Sequence, residues 1–178
     1  MAQLAARLPG LEPRLAGVRL VALDGRSGSG KSWLAQQLAE PIDAPVIHME
    51  DLYPGWDGLA GTAEILADWV TGPLGDGRPA HWRRFDWAAM AYAEWHTTGP
   101  ADVILLEGCG SIRAGLAAAY AARIWVEAPA VARHQRLRAR PDWPAYQPHA
   151  SRWARDEDRL YQAEQTRRHC DFVIDNHG

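Results

Sequence analysis

The stretch that decides the fold is GRSGSGKS, which runs from Gly25 to Ser32. It matches the phosphate-binding pattern G-x-x-x-x-G-K-[ST] at every position. Residues 18–24 before it form an apolar, β-branched run of strand length, and residues 32–40 after it have helical spacing and stop before Pro41. A strand, a glycine-rich turn and a helix in this order predict a loop that binds phosphate groups.

This loop has the residue types that binding of a nucleoside triphosphate requires. Glycines let the backbone curl so that successive N–H groups point inward, and the start of the helix adds partial positive charge. Lys31 is placed to reach the β- and γ-phosphates, and the Ser32 hydroxyl is placed to ligate Mg²⁺. The alternative is a chance turn rich in glycine and serine with a surface lysine. The sequence disfavours this alternative, because every position of the pattern matches and the loop lies between a predicted strand and a predicted helix. We expect ATP and Mg²⁺ as cofactors, with ATP bound by Gly25, Ser27, Gly28, Ser29, Gly30, Lys31 and Ser32.

The composition predicts one globular domain over residues 1–178. The formal net charge is −3 and 47% of the residues are hydrophobic, which argues against a surface for nucleic acid or for an acidic membrane. No stretch has the apolar length of a signal peptide core or of a membrane span, so we expect a soluble, cytoplasmic protein. Cys109 and Cys170 lack metal-ligand spacing, and we expect both to be buried thiols in a reducing compartment.

Strand-like runs alternate with helical stretches along the chain. Continuous apolar runs are typical of parallel strands covered on both faces, and strands separated by helices imply right-handed crossovers. We therefore predict a three-layer α/β/α sandwich with a five-stranded parallel sheet. The predicted strands are residues 18–24, 45–49, 102–107, 123–127 and 171–175.

The long segment between the second and third predicted strands, about 54–100, is expected to cap the substrate. It contains an amphipathic helix around residues 65–70, a turn-rich break at 72–77 and a second short helix with Trp87, Ala91 and Trp95 at four-residue steps. Ligands of open α/β sheets bind at the carboxyl ends of the strands, and this insertion would overhang that crevice.

Several segments beyond the loop resemble the uridine kinase-like branch of the P-loop kinases, which also contains phosphoribulokinases and bacterial pantothenate kinases. The resemblance spans nearly the whole chain, although it is faint between residues 54 and 101. It rests on the loop with its preceding Asp24, on Met49–Tyr53, on the strand Val103–Glu107 followed by Gly108, on Arg133, Arg136, Arg138, Arg140 and Asp142, and on Asp171–Asn176.

The resemblance implies a catalytic carboxylate after the second strand, which would accept the proton of an attacking hydroxyl. The register favours Glu50 and the residue type favours Asp51, so both remain candidates, as does a pair of solvated loop acids. Glu107 takes the Walker B position of the family and would hold Mg²⁺, partly through water. The competing interpretation is a structural glutamate satisfied by backbone N–H groups.

Arginines follow the fourth predicted strand at helical steps. Arg133, Arg136 and Arg140 would share one face, and the family uses lid arginines to stabilise the transferring phosphoryl group. Arg136 and Arg140 are our catalytic candidates beside Lys31. Prolines at 141, 144 and 148 predict a lid loop at about 138–150 that could close over ATP.

The acceptor site is predicted from two segments. Residues 83–87 resemble the P-x-Y-D-F segment that uridine kinases place against the nucleoside, so Asp86 would pair with substrate hydroxyls while an aromatic ring stacks on the ligand. A capping role for Asp86 at a helix start is an equally good interpretation. Residues 53–58 are a second candidate wall. The candidate substrate residues are Tyr53, Arg83, Arg84, Phe85 and Asp86.

The leading functional hypothesis is an ATP- and Mg²⁺-dependent kinase that phosphorylates a hydroxyl of a small molecule, nucleoside- or sugar-like. One alternative is a nucleoside monophosphate kinase, in which Arg83 and Arg84 would clamp the acceptor phosphate. Another is a nucleotide-dependent regulatory ATPase that acts on a protein partner. A GTPase switch is disfavoured because the N-K-x-D motif is absent from the sequence.

Overall fold

The computed structural model describes residues 2–177. Its strands are β1 (Arg19–Asp24), β2 (Val46–His48), β3 (Ala80–Asp86), β4 (Ala91–Thr98), β5 (Val103–Glu107), β6 (Tyr120–Glu127) and β7 (Phe172–Asp175). Its helices are α1 (Ala2–Arg7), α2 (Lys31–Ala39), α3 (Thr62–Leu66), α4 (Gly72–Gly75), α5 (Ala130–Arg138), α6 (Trp143–Tyr146) and α7 (Ala150–Glu164). Among these residues, no helix is long and apolar enough to cross a membrane.

The main sheet has five parallel strands in the order β2-β5-β1-β6-β7. Residues 20–24 of the central strand β1 and all of β5 are buried, as strands covered on both faces must be. The five predicted strands and the α/β/α fold class are confirmed. The carboxyl ends of β1, β2 and β5 meet at one edge, where they place the phosphate loop, residues 49–51 and Glu107 beside one another.

Two hydrophobic layers enclose this sheet. On one face, Leu34 and Leu38 of α2 pack with Val21 and Leu23 of β1 and with α1. On the other face, α7 and residues 49–82 pack against alternate residues of the same strands. Because side chains alternate along a strand, one buried strand serves both layers. Of the two cysteines predicted to be buried, Cys109 is buried, whereas Cys170 is only partly so.

The insertion differs from its prediction in two places. Helical structure runs from Thr62 through a π-helical segment, Ala67–Thr71, to Gly75, so the expected break at 72–77 begins only after α4. Pro73 lies at the start of α4, where its missing N–H costs little.

The second predicted helix is wrong, because residues 80–98 form the antiparallel hairpin of β3 and β4. Arg83 lies opposite Trp95 and Phe85 lies opposite Tyr92. Aromatic and β-branched residues across a hairpin stabilise one another, and here that pairing outweighs the helical spacing seen in the sequence. The turn at 87–90 is stabilised by Asp86, whose carboxylate accepts hydrogen bonds from the N–H groups of Ala88 and Ala89.

The predicted lid consists of the end of α5, a turn and the short helix α6, after which α7 returns the chain to the sheet. α5 ends at Arg138, so Arg140 lies beyond the helix rather than on its face.

Candidate active site

The phosphate loop, residues 25–30, links β1 to α2 through backbone that glycine adopts most easily. Gly25 and Gly28 have φ values of 146° and 79°. A Cβ atom on Gly25 would lie 2.3 Å from the carbonyl oxygen of Val126, and one on Gly28 would lie 2.5 Å from that of Arg133. A larger residue would strain the loop or displace its neighbours. The loop is therefore held closely against β6 and α5.

Lys31 begins α2 with its ammonium group directed back at the loop. Nζ donates hydrogen bonds to the carbonyl oxygens of Gly25 at 2.8 Å and Arg26 at 3.1 Å, and the side chain is buried. Burial alone would lower the pKa of Lys31, but the charges of the nearby carboxylates Glu107 and Glu157 outweigh it, so the pKa is raised. Lys31 thus stays charged beside the loop, where it can neutralise phosphate oxygens.

Ser32 and Glu107 bring two oxygen ligands together at the end of β5. Ser32 Oγ donates to Glu107 Oε1 at 3.1 Å, and His48 Nδ1 lies 2.7 Å from the same oxygen. Burial would raise the pKa of Glu107, but the hydrogen bond with His48 and the charge of Lys31 outweigh it, so the pKa is lowered. An ionised carboxylate beside a hydroxyl fits the hard oxygen ligands that Mg²⁺ prefers.

Two protein oxygens at this position fit the coordination of Mg²⁺. Mg²⁺ commonly uses one or two protein oxygens together with water and substrate phosphates.

The two candidate bases, Glu50 and Asp51, lie in a 3₁₀ turn after β2 and face different surroundings. Glu50 lines the central cavity, with its carboxylate 4.0 Å from Arg140 Nη2. The Glu50 side chain is 63% exposed, and the partial desolvation that the cavity imposes, together with the charge of Glu107, raises its pKa. Asp51 does not line that cavity as the structure describes it, and among its charged neighbours are His96 and Arg84 of the hairpin. Geometry therefore favours Glu50 over Asp51.

The cavity that contains Glu50 has a volume of about 470 Å³ and two chemically different sides. Lys31, the loop and Glu107 form one side. The other side is aromatic and is contributed by Tyr53, Trp56, Trp87, Tyr146 and Trp153. The ring centroids of Trp56 and Trp87 are 4.6 Å apart, and those of Tyr53 and Trp153 are 4.9 Å apart. The rings pack on one another, so they form a continuous aromatic wall of the cavity.

The predicted lid arginines take three different positions. Arg133 Nη1 donates to the Ser27 carbonyl oxygen at 3.2 Å, and Arg136 Nη1 lies 3.3 Å from the carbonyl oxygens of Gly28 and Ser29. Arg140 forms a bidentate pair with Asp142, at 2.7 and 2.8 Å. Arg136 and Arg140 both line the cavity.

The predicted acceptor residues are divided by the structure. Tyr53 lines the cavity and donates to the Cys109 carbonyl oxygen at 2.7 Å. Among the described residues, none of the other four candidates lines the cavity, because each is engaged within the hairpin. Arg83 donates to carbonyl oxygens of β4, Arg84 pairs with Glu94, Phe85 packs on Trp87 and Tyr92, and Asp86 caps the turn.

Two buried acids near the loop were not predicted as site residues. Asp24 is fully buried and accepts hydrogen bonds from Gly25 N, Gly110 N, Ile112 N and Tyr161 Oη. Burial raises the pKa of Asp24 from 3.8 to about 6. Glu157 of α7 accepts from the loop residue Ser27. Each has a signal in the sequence, because Asp24 ends an apolar strand and Glu157 interrupts an apolar helix face.

Comparison with known proteins bears on the fold. No protein-family model matches the chain, and no curated protein matches it in sequence. It is similar to the structure of a possible uridine kinase from Bacillus stearothermophilus, with a TM-score of 0.72 and 19% identity over 98% of this chain and 96% of that one. It is also similar to a candidate fructose transport system kinase from Silicibacter sp. TM1040, with a TM-score of 0.59 and 23% identity over 96% and 98%. The chain therefore has the P-loop kinase fold of these two proteins, which supports its resemblance to the uridine kinase-like family.

Proposed function

We propose that this protein is an ATP- and Mg²⁺-dependent kinase that transfers the γ-phosphoryl group to a hydroxyl of a small molecule. One observation supports it most: the phosphate loop, the carboxylate of Glu50 and an aromatic wall line the same cavity. Groups suited to bind a phosphate donor, to accept a proton and to stack on an acceptor thus line one cavity.

In the proposed reaction the acceptor hydroxyl oxygen attacks the γ-phosphorus, and the bond to the bridging oxygen of ADP breaks. Glu50 accepts the hydroxyl proton, and its raised pKa makes it a better base than an ordinary glutamate. Lys31 and the cavity arginines Arg136 and Arg140 stabilise the negative charge on the transferring group.

Ser32 and Glu107 are the residues that would hold Mg²⁺. When bound, the ion neutralises the charge of the β- and γ-phosphates. The protein supplies the orientation of this site, because the contacts of Glu107 with His48 and Ser32 direct its carboxylate at the start of α2.

The aromatic wall suggests the class of acceptor. Flat rings bind the face of a nucleobase or the C–H face of a sugar, and the hydroxyl to be phosphorylated would then point at Glu50. A nucleoside-like or sugar-like alcohol is therefore our proposed acceptor. We place the reaction in the cytoplasm, in keeping with ATP as donor and with the free thiols of Cys109 and Cys170.

The two alternatives have less support. A nucleoside monophosphate kinase would need Arg83 and Arg84 at the acceptor phosphate, whereas both are engaged within the hairpin. A regulatory ATPase would act on a protein partner, whereas the cavity beside Glu50 has the dimensions of a small ligand.

The test is transfer of label from [γ-³²P]ATP to a panel of nucleosides, sugars, pantothenate and aminoglycosides. A labelled alcohol supports the proposal, and intact ATP binding without transfer to any acceptor contradicts it. Lys31 is the only lysine in the sequence, which allows an independent check of nucleotide binding. An amine-directed reagent should label Lys31 more slowly when Mg·ATP is present.

A further inference from the structure

Glu157 is a carboxylate that the fold buries against the phosphate loop. Its side chain is 1% exposed and lies on the inner face of α7 with Trp153, one turn before it, and Tyr161, one turn after it. A buried carboxylate destabilises a protein unless hydrogen-bond donors surround it. Glu157 therefore needs specific partners, and they show what it does.

A single oxygen of Glu157 meets four donors. Oε1 accepts from Ser27 N at 2.9 Å, from Ser27 Oγ at 2.6 Å and from Trp153 Nε1 at 3.0 Å, and the Cys109 thiol lies 3.1 Å away. The second oxygen, Oε2, lies 4.0 Å from the guanidinium of Arg26. Arg26 pairs more closely with Asp158, at 2.6 Å, so Ser27 is the loop residue that Glu157 holds directly.

Ser27 is the third residue of the phosphate loop and lines the cavity. Its backbone N–H and its hydroxyl are both directed to Glu157, so the orientation of this part of the loop depends on that carboxylate. We propose that Glu157 is a positioning residue, which holds the first half of the phosphate loop in the shape that binds the triphosphate. This inference rests on the nucleotide-binding part of the proposed function.

The same oxygen also reaches the acceptor side of the cavity. The ring of Trp153, which donates to Glu157, packs on Tyr53 at 4.9 Å and on Trp56 at 6.2 Å. Glu157 therefore joins the aromatic wall to the phosphate loop through one hydrogen bond from Trp153 and two from Ser27. A second attachment lies one turn further along α7, where Tyr161 Oη donates to Asp24 Oδ1 at 2.7 Å.

The helix provides its own matched control. Glu164 also lies on α7 and is largely buried, and it pairs with Arg113 at 2.7 Å and accepts from Ala114 N at 2.7 Å. None of its hydrogen bonds among the described residues reaches the phosphate loop. Loss of Glu164 should loosen α7 as loss of Glu157 does, but it should leave the loop unaffected.

The experiment measures the Kd of Mg·ATP by isothermal titration calorimetry, with folding of each variant checked by circular dichroism. We expect Glu157→Ala to raise the Kd about tenfold or more, because it leaves the Ser27 donors without their acceptor. Glu157→Gln keeps an acceptor oxygen and should restore the Kd to within about threefold of the wild-type value. Glu164→Ala should not change the Kd. The double variant Ser27→Ala with Glu157→Ala should have a Kd close to that of Glu157→Ala alone.

Several outcomes would overturn the inference. A wild-type Kd in Glu157→Ala would do so, as would an equal loss in Glu164→Ala or fully additive effects of Ser27→Ala and Glu157→Ala. If Glu157→Ala does not fold, Glu157→Leu, which is apolar and of similar volume, replaces it in the same comparisons. Failure of the wild type to bind Mg·ATP would overturn both proposals, whereas binding without transfer to an acceptor would contradict only the kinase.

Discussion

The two sides of the cavity are built in opposite ways. The nucleotide side is centred on one continuous stretch, residues 25–32, with Glu107 beside it, and the shape of that stretch depends on glycine backbone and on close contacts with β6 and α5. The acceptor side is assembled from residues 53–56, Trp87, Tyr146 and Trp153, which are far apart in the chain. A binding site formed by the backbone of one segment can be recognised in the sequence. A wall of side chains from separate segments forms only when the chain has folded.

The largest expected effect belongs to the nucleotide side. Lys31→Ala should lower kcat/KM for ATP about a thousandfold, because it removes the buried cation that faces the phosphates. Steady-state kinetics with the first acceptor identified will measure this. Arg19→Ala, at the opposite end of β1, is the control and should retain near-normal activity. Full activity of the Lys31→Ala variant would contradict the assignment of residues 25–32 to the nucleotide side of the cavity.

Glu50 is where the two sides meet. Glu50→Gln should lower kcat about a hundredfold, because the amide cannot accept the hydroxyl proton. Asp51→Asn is the matched control, since the neighbouring acid does not line the cavity as the structure describes it, and it should lower kcat by less than about threefold. The reverse order of effects would show that Asp51 is the base.

The pH dependence of kcat/KM should report the same carboxylate. Glu50 acts as a base only when ionised, so the rate should fall as the pH drops through its pKa, about tenfold per pH unit below it. Partial desolvation and the charge of Glu107 raise that pKa, so the acidic limb should lie above the ordinary value of 4.5. Arg140 lowers the pKa, and Arg140→Ala should therefore move the limb to still higher pH. A limb at or below 4.5 would argue against Glu50.

On the acceptor side, Trp56→Ala should raise the KM of the acceptor about fivefold and leave the KM of ATP nearly unchanged. The reason is that Trp56 belongs to the aromatic wall and has no hydrogen bond to the loop among those the structure describes. Trp95→Ala, on the exposed part of the hairpin, is the control and should change neither constant. Equal changes in both KM values for Trp56→Ala would mean that the two sides do not act separately.

The smallest effect is expected at Arg84. It pairs with Glu94 across the hairpin at a solvent-exposed position, so Arg84→Ala should change kcat/KM by less than about twofold. A decrease of tenfold or more in kcat/KM for the acceptor would support the prediction from sequence that Arg84 contacts the substrate.

The errors in prediction fall on the insertion. Trp87, Ala91 and Trp95 have helical spacing, but Trp87 lies in the turn and the other two lie on β4, where cross-strand pairing of Phe85 with Tyr92 favours the hairpin. The resemblance of residues 83–86 to a substrate-binding segment concerned residue types alone. In the structure their hydrogen-bonding groups are already used within the hairpin.

The sequence by itself determined the phosphate loop, the parallel sheet and the acids that follow β2 and β5. These features depend on local backbone geometry and on runs of apolar residues, which neighbouring positions encode. Only the tertiary structure decided that Glu50 rather than Asp51 faces the cavity, that aromatic residues from distant segments form the acceptor wall, and that Glu157 contacts Ser27. Each of these depends on which side chains the folded sheet and α7 bring together from segments that are distant in the chain, where sequence spacing carries no information.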